Sequence, residues 1–432
     1  LFIVTILIVA VTIVHLEPIR KVSGCPTSVG KIPPLKRDVQ NFPDRYLASN
    51  GRENSGVIEA WRAFRGNLRR TGNIDGKPGP QSANLLWVFK NDNVNADFSS
   101  SPAVVGNRIY IGCALAGVFS NSGLVYCIDA QSAEIIWEYE TGKQIFSSPA
   151  VVNNKVYIGE GLHWDEDSNL YCLDASDGKL LWSFQTASHV ESSPTFMDGK
   201  IYFGAGEDGV FCVDADTGEK IWHFSGEHVD NSPIAEEDSV YFGTGYGNER
   251  IYCLDSQSGE EKWVVDVDYP VWGSPALDDG KIYLGIGNGN FLESDNEPGG
   301  AAICFDAKSG KSLWRYETED SVITAIALDS GEAYFGSRDG NLYCLDAKAG
   351  ALKWKKDLHI SIVSSPAVVK NGVYFGCDDG RIYCLDRNDG SIKWSFDTDE
   401  QTGGCRIISS PAVANGRLYI GSCSQYLFCM GL

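Results

Sequence analysis

The chain has 432 residues and a formal net charge of −21, from 57 acidic and 36 basic side chains. That balance, with no cluster of Lys and Arg to neutralise phosphates, excludes a nucleic-acid binder. Hydrophobic residues at 43%, 11 Trp and 47 Gly describe a well-packed, turn-rich globular protein and exclude a disordered one.

Residues 1–14, LFIVTILIVAVTIV, form an uncharged apolar run, shorter than the roughly 20 residues of a membrane-spanning helix. Residues 1–15 are read as a signal peptide or membrane anchor, so the protein is expected outside the cytoplasm, membrane-anchored or secreted, touching a membrane through this segment only. VSGC (22–25) matches a bacterial lipobox that would lipidate Cys25, although Glu17, Arg20 and Lys21 separate it from the apolar run. Residues 16–58 are polar and rich in Pro, Gly and charge, as a tether would be. Folding is expected to start near EAWRAF (59–64).

Aligning the remainder on its tryptophans reveals a repeat of about 40 to 50 residues. SAEIIW ends at Trp137, DGKLLW at Trp182, TGEKIW at Trp222, SGEEKW at Trp263, SGKSLW at Trp314, AGALKW at Trp354 and NDGSIKW at Trp394. An earlier copy, PQSANLLW, ends at Trp87. Each of the later seven follows a Cys-x-Asp phrase, with Cys127, Cys172, Cys212, Cys253, Cys304, Cys344 and Cys384, whereas Cys429 has no Trp after it. Upstream in each unit a Ser-Pro strand precedes a Tyr/Phe-x-Gly strand, as in SSPAVVKNGVYFG (364–376). Period-2 alternation makes all four segments strands, and the Asp-Ala-x-x-Gly link suits a tight hairpin. Four antiparallel strands per repeat predict an all-β, eight-bladed β-propeller over residues 59–432. The lone Trp87 strand is expected to complete the last blade (409–430) and so close the ring.

The unit Tyr-x-Cys-Leu-Asp-Ala-x-x-Gly-x-x-x-Trp resembles the pyrroloquinoline quinone (PQQ) enzyme repeat, with Cys where that family usually has Ala. The likeness covers about 84–432, and AWRAFRGNLRRTGN (60–73) is similar to a segment that often precedes such propellers. It implies that Trp87, Trp137, Trp182, Trp222, Trp263, Trp314, Trp354 and Trp394 pack between neighbouring blades. It also implies two functional readings. One is a non-catalytic, BamB-like scaffold, without a cofactor, that binds a protein partner in the cell envelope or a small ligand at one face. The alternative is a PQQ- and calcium-dependent dehydrogenase, in which YLGIGNGNFLESDNEPGG (283–300) would supply Asn288 to the metal; the adjacent Cys-Cys pair of many alcohol-oxidising members is missing.

Of the 13 Cys, the eight in the repeat are related by rotation about the ring axis, too far apart for disulfides, and are read as small buried apolar residues. Cys113, Cys377, Cys405 and Cys423 fall on one rim, where Cys405 is a candidate to bridge Cys377 or Cys423. GAGEDG (204–209) satisfies GxGxxG but runs into the strand VFCVDAD where a dinucleotide site needs a helix. Just before each Ser-Pro strand the chain crosses toward the axis, and there it varies: Ser99, Phe146, Glu191, Asp230, Trp272, Val322, Val363 and Ile408. Glu191, Asp230 and Trp272, with His189, His228, His359 and Arg406 nearby, are the expected ligand- or partner-binding residues. The longer loops, 113–123, 161–169 and 288–301, should share that face, and HWDEDSN (163–169) is acidic without the spacing of a calcium loop.

Overall fold

The computed structural model describes residues 65–116, 122–163, 165–289 and 293–431. The apolar run, Cys25, the tether and the start at 59–64 lie outside the described residues.

Eight antiparallel sheets follow one another round a ring, and in seven of them four consecutive strands run from the inside outward. In the sixth blade these are Ala327–Asp329, Glu332–Gly336, Asn341–Asp346 and Leu352–Asp357. The eighth sheet takes Ala412–Ala414, Arg417–Gly421 and Tyr426–Met430 from the C-terminal end and its outermost strand, Leu85–Lys90, from the other. Trp87 is in register with Cys429, as Trp354 is with Cys344 inside one blade. A short strand, Ala96–Asp97, adds to the first blade.

Each repeat residue has a physical task. The Asp carboxylate after the third strand accepts backbone N–H groups across the hairpin, as Asp346 does from Lys348 and Ala349 at 3.0 and 2.7 Å. The hairpin Gly has positive φ, and a Cβ on Gly350 would stand 2.6 Å from the Trp314 ring of the preceding blade. That Trp donates its indole N–H to the carbonyl of Ala347, 2.9 Å away, in the same hairpin. The pattern recurs for Trp87, Trp137, Trp182, Trp222, Trp263 and Trp354, each reaching the next blade. Trp394 finds no such hairpin in the last blade, whose outer strand arrives from elsewhere, and bonds the carbonyl of Pro80 instead. The eight repeat cysteines are buried in the third strands, and burial pushes the Cys344 thiol up to about 12.

The Ser-Ser-Pro phrase closes the inside of the ring. The first hydroxyl is fastened to the Gly of its own second strand, as Ser364 Oγ is to Gly376 N at 3.0 Å. The second hydroxyl accepts the N–H of the preceding blade, a chain that runs from Ser101 through Ser148, Ser193 and Ser232 to Ser274. It resumes at Ala325, then passes through Ser365 and Ser410 back to Ser101. ITAIAL in the sixth blade lacks the second hydroxyl, but Thr324 keeps the first contact, to Gly336.

The lead-in segment does more than precede the ring. Leu68, Arg69, Thr71 and Gly72 each give one carbonyl to an inner-strand N–H, of Leu277, Leu328, Val368 and Val413 in four successive blades. The segment thus runs along the inner wall. Arg70 is fully buried, and its guanidinium donates to the carbonyls of Pro275, Ser232 and Pro233 at 2.9 to 3.4 Å. Arg65 is also buried and bonds Pro366 O. Asp75, Lys77 and Gly79 then bond Asn415 and Asn371 on the inner hairpins of the last two blades, so this lining belongs to the hairpin end of the channel.

Candidate functional site

In an antiparallel meander the crossovers between blades and the loops after second strands emerge at the end opposite the inner hairpins. The varied residues expected from the sequence therefore gather round the other mouth. His189 and Glu191 come from the crossover between the second and third blades, and His228 and Asp230 from the next crossover. Asp230 holds both imidazoles, with Oδ1 2.9 Å from His189 Nε2 and Oδ2 2.7 Å from His228 Nε2. The His163 ring, from the long loop of the second blade, lies 5.1 Å from the ring centres of both. One nitrogen from each of the three rings and one Asp230 oxygen all lie within 4.8 Å of one another.

The backbone makes room for this. Gly206 has φ +47°, and a Cβ there would lie 2.3 Å from His189 Cε1. Its backbone pairs in both directions with Val229, which fixes the third-blade loop to the crossover carrying His228. GAGEDG is thus a turn that admits an imidazole.

His189 is 1% exposed, so the local dielectric is low and its neighbours matter. Burial is the largest influence on Glu191, with repulsion from Asp230 next, and its carboxyl is raised to about 7. Its Oε1 accepts the His163 backbone N–H. Burial would raise Asp230 too, but hydrogen bonds from His189 and His228 outweigh it and hold that carboxyl below the usual carboxylate range. Burial opposes charge on His228, yet its bond to Asp230 prevails and raises it, whereas burial lowers His163. Asp230 is accordingly the fixed anion of the group, with Glu191 a carboxyl that titrates near neutrality.

Trp272 lies in the next sector, donating to Gly287 O at 3.0 Å and standing edge-on to Tyr246. Arg406 lies in the crossover to the eighth blade and pairs with Asp378 at 2.6 Å. His359 is not brought into the cluster; it is exposed in the crossover between the sixth and seventh blades and pairs with Asp357. Cys377 and Cys423 are thiols here, so neither is joined to Cys405, whose Sγ lies 3.1 Å from Thr402 O. Asn288 spends its amide closing its own loop, with Oδ1 accepting Gly299 N–H at 2.7 Å and Nδ2 donating to Glu297 O at 2.6 Å. The sequence reading missed His163, taken as part of an acidic loop, and Tyr246. Topology could have flagged His163, because its loop sits beside the crossover carrying His189.

The model of the family described as outer membrane protein assembly factor BamB matches residues 70–162, 161–249, 210–321 and 298–428. The chain belongs to this family. Among solved structures, BamB from Moraxella catarrhalis aligns with TM-score 0.62 and 18% identity over 81% of this chain and 97% of its own. A europium-containing methanol dehydrogenase aligns with TM-score 0.66 and 15% identity, covering 87% of this chain and 98% of that one. Quinohemoprotein alcohol dehydrogenase from Comamonas testosteroni gives 0.64 and 15% over 87% and 81%. At such identities the likeness is one of fold. No curated protein sequence matches. Within the BamB family propeller no helix among the described residues is long and apolar enough to cross a membrane.

Proposed function

We propose that this BamB family propeller is a non-catalytic scaffold of the cell envelope that binds a protein partner at the crossover mouth, held near a membrane by its N-terminal segment. The asymmetry of the channel carries this reading. Residues 65–80 line one end, whereas the other presents the irregular set of His189, Glu191, His228, Asp230 and Trp272 on a rigid frame. Recognition residues concentrate on loops held by such frames. Val94, Leu162, Tyr246 and Ile360 are exposed large apolar residues on the loops and crossovers of this face, suited to a protein surface. Other exposed apolar residues, such as Leu181 and Leu352, occur on the outer strands and are spaced round the rim. A small ligand would use the same mouth. Quinone-dependent oxidation is the second reading, supported by fold likeness, with Asn288 its candidate metal ligand.

Site-specific photocrosslinking tests the face. A photoreactive residue at Leu162 or Tyr246 is expected to trap a partner in envelope preparations, and one at Lys77 or Asn415 is not. Equal trapping from both ends, or trapping only from Lys77 and Asn415, would remove the proposal.

A further inference from the structure

We propose that His163, His189, His228 and Asp230 form a binding site for a single divalent transition-metal ion, with zinc the best match. The donor set is three imidazoles and one carboxylate, the nitrogen and oxygen ligands that zinc takes at about 2.0–2.2 Å. A tetrahedron of such bonds has edges of about 3.4 Å. The four donor atoms already lie within 4.8 Å of one another, so small side-chain rotations close the shell.

Three further observations favour a metal over a network that merely shares protons. The rings crowd together, with centroid separations of 5.1, 5.1 and 5.8 Å, an arrangement that resists protonation of all three but suits one dication. The second ring nitrogens of two of them are already oriented. His189 Nδ1 is 3.1 Å from Ser188 Oγ and His228 Nδ1 is 3.6 Å from Glu207 Oε1, leaving each Nε2 toward the centre, as outer partners of metal-bound histidines do. Gly206 leaves the space His189 needs.

Four protein ligands complete a tetrahedron, so the site is structural in kind. It would tie the loop of the second blade to the next two crossovers and stiffen the mouth, whatever binds there.

The test uses the full chain without a polyhistidine tag, stripped with EDTA and dialysed against zinc, with bound metal measured per chain. One tightly held zinc per chain is expected, together with a zinc-dependent rise in the thermal midpoint. Cobalt should give the visible ligand-field bands of a tetrahedral site. Asp230→Asn, which keeps shape, and His163→Gln, at the more exposed ligand, should each weaken binding at least tenfold, whereas His359→Ala should not. Failure of the parent protein to retain zinc, or retention undiminished in both Asp230→Asn and His163→Gln, would overturn the proposal.

Discussion

Deleting residues 84–90 is expected to abolish the cooperative folding of the ring, whereas deleting residues 1–58 should leave it intact. The seven residues supply the outer strand of the eighth blade, in register with Tyr426–Met430, and with it Trp87 and Phe89. Phe89 packs on Phe98 and Tyr126, and Trp87 bonds Ala130, so the strand joins the last blade to the first. Burial of Leu85, Trp87 and Phe89 accounts for on the order of 4–8 kcal/mol, close to the whole stability of an ordinary domain. The deletion also bares Tyr426–Met430 as an open edge that would pair with another copy. Circular dichroism melts with light scattering check this. A sharp, monomeric melt of the 84–90 deletion would show that the ring does not depend on its closing strand.

Arg70→Met is expected to destabilise the propeller by about 3–5 kcal/mol in denaturant titration. Methionine fills much of the same volume and removes a charge whose burial has already lowered its pKa to about 9. Removing a buried charge can help, but only where its partners leave with it. Here the partners are backbone carbonyls in the inner wall, and although Pro233 O keeps Thr195 Oγ1 as a donor at 2.7 Å, those of Pro275 and Ser232 stay behind without the guanidinium. Each unsatisfied carbonyl costs about 1–3 kcal/mol, and this loss wins. Lysine cannot reproduce the fork and should fall in between. Arg69→Ala is the control, since Arg69 is half-exposed beside Asp278 and its change should stay within about 0.5 kcal/mol.

What was legible in the sequence was whatever repeats. Trp, Asp, Gly and Ser-Pro recur because each serves the same contact in most of the blades, and the missing fourth strand of the eighth blade could be paired with the surplus strand at Trp87. The departures were legible as positions but not as a constellation. Glu191 and Asp230 stood out by their variation, yet nothing in the spacing showed that Asp230 would hold two imidazoles while Glu191 faced the backbone of His163. His163 lies 26 residues from His189 in the chain, and it is the meander of the second blade that brings its loop beside that crossover. Arg70 was hidden for the opposite reason. A basic segment before a domain reads as solvated, and its burial follows from four carbonyls supplied to four blades, a geometry without a side-chain signature. The resemblance carried Asn288 over as a metal ligand because the local motif is alike, and the loop bonds its amide makes, to Gly299 and Glu297, had no signal in that motif.

Titration of the full chain with PQQ and calcium, followed by a dye-linked alcohol or sugar oxidation assay, addresses the scaffold reading most directly. The expected result is no saturable PQQ binding and no turnover above the protein-free control. Tight, calcium-dependent binding accompanied by turnover would contradict the account and make the crossover mouth a catalytic centre.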